Sequence, residues 1–332
     1  MICSFFLLAS LLLNPSYEDQ IQERSSEITE KIEKWKPFIE KERKENFEFF
    51  AAFDAILETG YLLLASQGLS GTYFLYNKEN VPSFIVKPFD EDIFCLNNPK
   101  RRESVLPDKR AKEHIPAYTS IQRALASYHV AKLLNIENAT PPVFLAILSN
   151  ASFYNYNNIT NGQEKLCSLQ PYLPQTIPLV TLLQKLFYLG LSDSEMEKYF
   201  DQEDFEDLSL FLWITYDNDA GPENFLAYVK KVDEKNNQVY GIKKIDNNQT
   251  FPEKNKGLLS FFWEFPHAKK RLSQKTIQRI NTLSFEDLKT CLKEFCLEQS
   301  ISSLDERVLL LQKLVKNPKM TYYKVSKKLQ RL

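Results

Sequence analysis

The chain has 332 residues, a formal net charge of −1 and 43% apolar side chains. That length calls for two lobes around more than one core; the apolar content excludes a disordered polymer, and the balanced charge excludes a global field that would gather nucleic acid. Five cysteines, odd in number and without a CxxC pair, argue against a disulfide framework or a thiolate zinc site, and read as free thiols of a reducing compartment.

The first element, residues 1–16, MICSFFLLASLLLNPS, is apolar. It is short for a membrane span and has the length of a signal core, but it lacks a basic start and a small-x-small cleavage site. Export, anchoring and a buried or interfacial helix therefore stay open. Residues 17–60 form an expected helical extension rich in Glu and Lys, with Ile28, Ile32 and Trp35 at helical spacing and Pro37 ending or kinking the first helix. GLSGTYFLYNKENVPSFIVKPF, 68–89, reads as a β-hairpin with strands over 72–76 and through 85–87. A helical period governs 118–134, and the apolar strand VFLAIL follows.

Past CSLQPYLPQ the pattern turns helical, over 179–190 and 203–216, until a second hairpin, NFLAYVKKVDEKNNQVYGIKKIDNN, with its turn at 233–237. Helical patterns resume from 273 to the end. The expected class is α+β, with a small β-rich lobe over 61–170 and a mainly helical lobe over 171–332.

One constellation in this order carries chemistry. Transfer of a γ-phosphoryl group needs a close-approaching backbone loop, a cation on the phosphates, oxygen ligands for a metal and a carboxylate for the acceptor hydroxyl. Gly68, Leu69, Ser70 and Gly71 form a tight turn opening a strand, where missing side chains let backbone N–H groups face phosphate. Lys87 ends the paired strand. In YDNDAGPENFLAYVK, 216–230, Asp219 sits on a polar turn as the carboxylate, and Asn224 supplies an oxygen for Mg²⁺. Asp246 ends the partner strand of the second hairpin, which should bring it beside Asn224. The competing reading of 216–224 is a surface turn whose Asp and Asn side chains cap its own backbone.

GLSGTYF, IVKPFDED, NNPK, YDNDAGPENFLAYVK, KKIDNNQTFPEKN and FFWEFPHAKKRLSQ together resemble successive blocks of the phosphatidylinositol 3- and 4-kinase superfamily, closest to type II phosphatidylinositol 4-kinases and their bacterial relatives. The resemblance spans roughly 66–290. It implies a two-lobed, protein-kinase-like fold of the atypical lipid-kinase type, with ATP in the cleft and a hinge near 168–173, where Gln170 and Tyr172 would meet the nucleotide. It further implies that Lys87 contacts the ATP phosphates, that Asp219 is the catalytic aspartate and that Asn224 and Asp246 bind Mg²⁺. The acceptor it favours is a phosphoinositide lipid, with a protein substrate next and a pseudokinase binding module as the alternative from another class.

Three departures from the family pattern stand out. Ala220 replaces the basic residue after the catalytic Asp, and Gln122, Arg123 and Ala124 occupy the neighbourhood of the helix Glu that pairs with the lysine. NNPKRRES stands near the place of the cysteine-rich insert through which eukaryotic type II enzymes are lipidated.

Phe261, Phe262, Trp263 and Phe265 lie beside His267, Lys269, Lys270 and Arg271, and no acidic residue follows Glu306. The Trp263 region and this basic tail suit peripheral contact with an anionic membrane; aromatic packing and a docked C-terminal helix are the competing readings. The histidines are read as structural. Two locations follow: an exported bacterial protein acting at a host membrane, or a cytoplasmic protein peripheral to membrane.

Overall fold

Glu- and Lys-rich residues with an apolar face build α1 (Tyr17–Glu45). The helix runs through Pro37, so of the two expectations the proline does not end it. Ile32, Trp35 and Ile39, on one face and on both sides of the proline, are buried. Three such side chains stabilise by roughly 1.5–3 kcal/mol each, against about 3 kcal/mol for an interior proline, so burial wins. The computed structural model describes residues 17–68, 70–92, 98–100, 119–149, 152–153, 164–234, 236–255 and 265–332, with the backbone alone for 17–29 and 31. The apolar segment 1–16, Leu69, and the aromatic run Phe261, Phe262 and Trp263 lie outside the described residues.

The fold is mixed α+β. The chain divides into two compact units, Met1–Pro82 with Val86–Arg102 and Phe144–Ser168, and Ser83–Ile85 with Glu103–Val143 and Leu169–Leu332. These units cut across the expected lobe limits: the helical extension groups with the first sheet, and the helix expected at 118–134 groups with the second unit.

In the first unit α2 (Phe47–Thr59) sets Phe49 and Phe50 against Phe144, with ring centroids 4.2 and 5.7 Å apart. A five-stranded sheet holds β1 (Tyr61–Leu64), β2 (Tyr73–Tyr76), β3 (Pro82–Pro88), β4 (Phe144–Leu148) and β5 (Lys165–Pro171) in the order β1-β2-β3-β5-β4. Along β3 the side chains alternate, with Phe84, Val86 and Pro88 buried and Lys87 on the opposite, half-buried face. The β2 and β3 strands fall where the hairpin pattern places them. β1 and β5 add to it, with β1 antiparallel to β2 from Tyr61 opposite Tyr76 to Leu64 opposite Tyr73.

Helix α3 (Ser120–Leu133) belongs to the second unit. A three-stranded antiparallel sheet has the order β6-β7-β8, made of β6 (Thr176–Pro178), β7 (Phe225–Val232) and β8 (Gln238–Lys244). Between β6 and β7 run α4 (Leu179–Tyr188), the short α5 (Asp193–Met196) and α6 (Gln202–Thr215). Helices α7 (Gln274–Asn281), α8 (Phe285–Glu294), α9 (Ile301–Leu314) and α10 (Tyr322–Leu329) complete the unit.

Helix α6 is buried from Asp204 to Thr215, and its first turn is capped by Asp201, whose carboxylate accepts from the amides of Glu203 and Asp204. Trp213 Nε1 on α6 donates to Ser326 Oγ at 2.9 Å, and its ring stacks on Tyr322. The C-terminal helix is thus docked through Tyr322, Val325, Ser326 and Leu329, while Lys324 and Lys328 are exposed. Among the described residues no helix is long and apolar enough to cross a membrane.

Candidate active site

In the second unit the candidate site starts where α6 ends. Tyr216 takes the left-handed conformation at φ 50°, which stops the helix and turns the chain into Asp217. A buried aromatic residue there costs roughly 1–2 kcal/mol. Its hydroxyl donates to the Leu329 carbonyl at 3.2 Å, and the Arg307 guanidinium lies 5.3 Å from its ring centre. Arg307 is itself fully buried and donates to the Ile214 carbonyl from Nε and Nη2, at 3.2 and 3.0 Å. A cation thereby meets the C-terminal carbonyls of α6, where the helix dipole is negative.

Asp217 is buried, and its Oδ1 accepts from the Asp219 amide at 2.8 Å, an Asx-type turn. Its other oxygen lies 2.7 Å from the Lys244 ammonium, a contact between two wholly buried charges with the alignment of an ion pair rather than of a hydrogen bond. Lys244 also donates to the Ile245 carbonyl at 2.7 Å and, more weakly, to that of Asp246 at 3.4 Å. One ammonium therefore brackets the Asp217 turn to the end of β8.

Asn224 Nδ2 donates to the Asp219 carbonyl at 2.8 Å, and the Ile245 amide donates to the Asn224 carbonyl at 2.9 Å. In the β7–β8 register Phe225 stands opposite Lys244, so Asp246 follows directly beyond Asn224. The three expected residues Asp219, Asn224 and Asp246 are brought together by this hairpin. Asp217 and Asn224 do cap local backbone, as the plainer reading of the turn has it; what that reading lacks is the burial of Asp217 and the convergence of the other carboxylates.

Asp219 is half-buried, and its carboxyl is held above the ordinary aspartate value by burial and by the charges of Asp217 and Asp246, against the lowering effect of Lys244. The charges of Asp217, Asp246 and Lys244 all act on Asp219, three carboxylates to one ammonium, which leaves two negative charges when all are ionised. Asp246 and the Asn224 amide oxygen are the groups here that could hold a divalent cation. Among the described residues no group of three or more His, Cys, Asp or Glu could hold a metal ion by itself.

Asp246 is left-handed at φ 57° and opens the single turn 247–249. The loop behind it is fastened to α3. Arg123, wholly buried, donates from Nη1 to the carbonyls of Thr250, at 2.6 Å, and Phe251. The Ser127 and Thr250 hydroxyls bond at 2.8 Å, and Asn247 Nδ2 donates to Thr140 Oγ1 at 2.7 Å. Phe251, also left-handed, returns its amide to the Thr215 carbonyl at 2.6 Å. Left-handed residues other than glycine at Tyr216, Asp246 and Phe251 thus bracket the cluster, and such strain concentrates at functional sites.

The first unit carries the expected phosphate-side residues. Gly68 is left-handed at φ 84°, a conformation that glycine takes without penalty. Ser70 Oγ lies 3.3 Å from Thr72 Oγ1. Gly71 departs from the expectation: its amide donates to the Glu91 carbonyl at 2.7 Å, and an added Cβ would stand 2.4 Å from Glu91 Oε2. That amide is engaged inside the protein instead of facing outward, and the missing side chain makes room for Glu91. In the second unit, Gln170 is half-buried at the end of β5, and the Tyr172 amide donates to the Ser83 carbonyl at 2.9 Å.

The buried lysine–acid cluster of the first unit is made by Lys165, whose ammonium lies 2.6 Å from Glu91 and 3.1 Å from Asp90. Tyr73 donates its hydroxyl to Glu91 at 2.6 Å. Burial pushes the Glu91 carboxyl up to about 7, against the pull of Lys165. Sequence reasoning missed the buried Asp217–Lys244 pair, the reach of Arg123 to the Thr250 loop and this cluster. For Lys244 a signal existed, since alternation along β8 puts it on the buried side with Ile242.

A hollow of about 490 Å³ in the second unit, lined by residues such as Asp201, Glu203, Lys231 and Lys275, contains none of the expected site residues. His267 is buried and pushed down to about 4 by burial and by Lys270, in keeping with a structural, neutral imidazole. Compared with models of known protein families and with curated proteins, the chain matches none.

Proposed function

We propose that the protein is a phosphotransferase of the lipid-kinase type, with a protein-kinase-like, two-lobed α+β fold, that moves the γ-phosphoryl group of Mg-ATP to a hydroxyl. The observation that carries this reading is the cluster of Asp219, Asn224 and Asp246 on one turn and one strand end, braced by the buried Asp217–Lys244 pair. Asp219 orients the acceptor hydroxyl and takes its proton, a role helped by a carboxyl held above the ordinary aspartate value. Asp246 and Asn224 hold the metal, and Lys87 with the Gly68 turn holds the phosphates. Bound Mg²⁺ would neutralise charge on the phosphate oxygens.

A phosphoinositide is the first acceptor proposed, on the sequence resemblance, and a protein the second. Membrane contact through the Trp263 region and the basic tail belongs to the lipid reading. A pseudokinase is the competing function, favoured by Gln122, Arg123 and Ala124 in the neighbourhood of the helix Glu of the family pattern, and by Ala220 after Asp219. Equilibrium binding of ATP with and without Mg²⁺ tests the metal half of the proposal. Asp246→Ala is expected to abolish the magnesium-dependent part; unchanged binding would remove Asp246 from the metal site. Offering phosphatidylinositol vesicles and a cell lysate side by side to the enzyme with γ-labelled ATP tells the lipid acceptor from the protein one.

A further inference from the structure

We infer that the tip of α4, made of Phe187, Tyr188 and Leu189, inserts into a bilayer with anionic headgroups and holds the protein there. The inference stands apart from phosphoryl transfer, because binding to a vesicle needs no turnover, and its residues belong neither to the Trp263 region nor to the basic tail.

Helix α4 already spends its apolar stripe on the core, where Leu179, Leu182 and Leu186 are buried at helical spacing. The three residues that follow are left outside: Phe187, Tyr188 and Leu189 are 79%, 87% and 61% exposed. Gly190, left-handed at φ 66°, comes directly after them, and a Cβ added to it would meet nothing within 4 Å. Single exposed apolar residues are ordinary, but three in a row at one helix end form a patch that calls for a partner.

Area and charge favour a bilayer as that partner. An aromatic side chain buries about 150–250 Å², so the tip offers on the order of 500 Å², short of the ~800 Å² that each side of a stable protein complex contributes. A membrane interface takes up Phe, Tyr and Leu without needing a larger matching surface. From 179 to 192 the one charged side chain is Lys185, which is exposed. The acids that come next are engaged within the protein: Asp193 pairs with Lys269 at 2.5 Å, Glu195 accepts from the Ser192 amide at 2.8 Å, and Glu197 pairs with Lys270. Beyond that pair Arg271 bridges to Thr321 at the start of α10, and Arg271, Lys319 and Lys324 are exposed and form no ion pair among the described residues. The surplus of charge around the tip is therefore positive, the sign that anionic headgroups attract. Helix α4 also packs on β7 and on the Pro222–Asn224 turn, and its 10 residues span about 15 Å, so the tip lies at most about one helix length from the residues that touch the candidate site.

Cosedimentation of the full chain with vesicles of phosphatidylcholine alone, and of phosphatidylcholine and phosphatidylserine in equal parts, tests the inference. Wild type should bind the mixed vesicles more tightly than the neutral ones. The triple variant Phe187→Ser, Tyr188→Ser, Leu189→Ser should bind the mixed vesicles roughly ten- to a hundred-fold more weakly and melt at the wild-type temperature, since these side chains are exposed. Tyr188→Trp, which keeps an interfacial aromatic, should bind at least as tightly as wild type. No vesicle binding by wild type, or equal binding by wild type and the triple variant, would overturn the inference. A wild-type dimer that the triple variant abolishes, with vesicle binding unchanged, would overturn it in favour of a second copy of the chain. Vesicle binding through the tip by a protein that transfers no phosphate would support it and count against the phosphotransferase reading alone.

Discussion

In the proposed reaction Asp219 takes the acceptor's proton, and its environment fixes two expectations. A base is useful only when ionised, and its carboxyl is held above the ordinary aspartate value. The acid limb of the pH–rate profile should therefore lie higher than a solvated Asp would put it, with turnover rising as pH passes through that value. Stability runs the other way. The folded chain binds this proton more tightly than the unfolded chain, so the contribution is fully present below the unfolded aspartate value and is lost as pH rises through the folded one. At neutral pH an ionised Asp219 is thus a cost, and Asp219→Asn should melt no lower than wild type. Thermal unfolding at pH 7 checks this; a melting point several degrees lower would show that the carboxylate is structural.

At the scale of elements, two buried charge clusters set how firmly the pieces are held. Arg123 on α3 satisfies the Thr250 and Phe251 carbonyls, both in the loop behind Asp246. Arg123→Met would leave these two acceptors without their donor, and about 1–3 kcal/mol for each buried unsatisfied group places the expected loss at roughly 2–6 kcal/mol. The urea midpoint should fall accordingly; an unchanged midpoint would mean that the loop does not depend on α3. In the first unit Glu91 has an ordinary value of 4.5 and is pushed up to about 7 by burial. Between those two pH values the folded state holds more protons than the unfolded state, so stability declines as pH rises across that window. Glu91→Gln removes the titration, and its melting temperature should change less over pH 4.5 to 7 than that of wild type; identical slopes would place the titration elsewhere.

For the whole molecule, what could be read in the sequence follows the range of the interactions. The β7–β8 hairpin was legible because its turn is local: the Asp233 amide donates to the Asn237 carbonyl, and the Asp233 carboxylate accepts from the Asn237 amide. The same locality made the Asp219 to Asn224 turn and its approach to Asp246 legible. Lys165 with Glu91, 74 residues apart, and Arg123 with Thr250, 127 apart, were not legible, because no periodicity links residues joined only by tertiary packing. Pro37 misled for a related reason: local propensity argues for a break, and burial of Ile32, Trp35 and Ile39 overrides it. The most direct test of the proposed function is transfer of labelled γ-phosphate from Mg-ATP by wild type and Asp219→Asn, with ATP binding measured on both. The expected result is label in the acceptor with wild type, a fall of roughly a hundred- to ten-thousand-fold with Asp219→Asn, and ATP affinity retained. Equal transfer by the two proteins, or no transfer by wild type despite bound ATP, would contradict it.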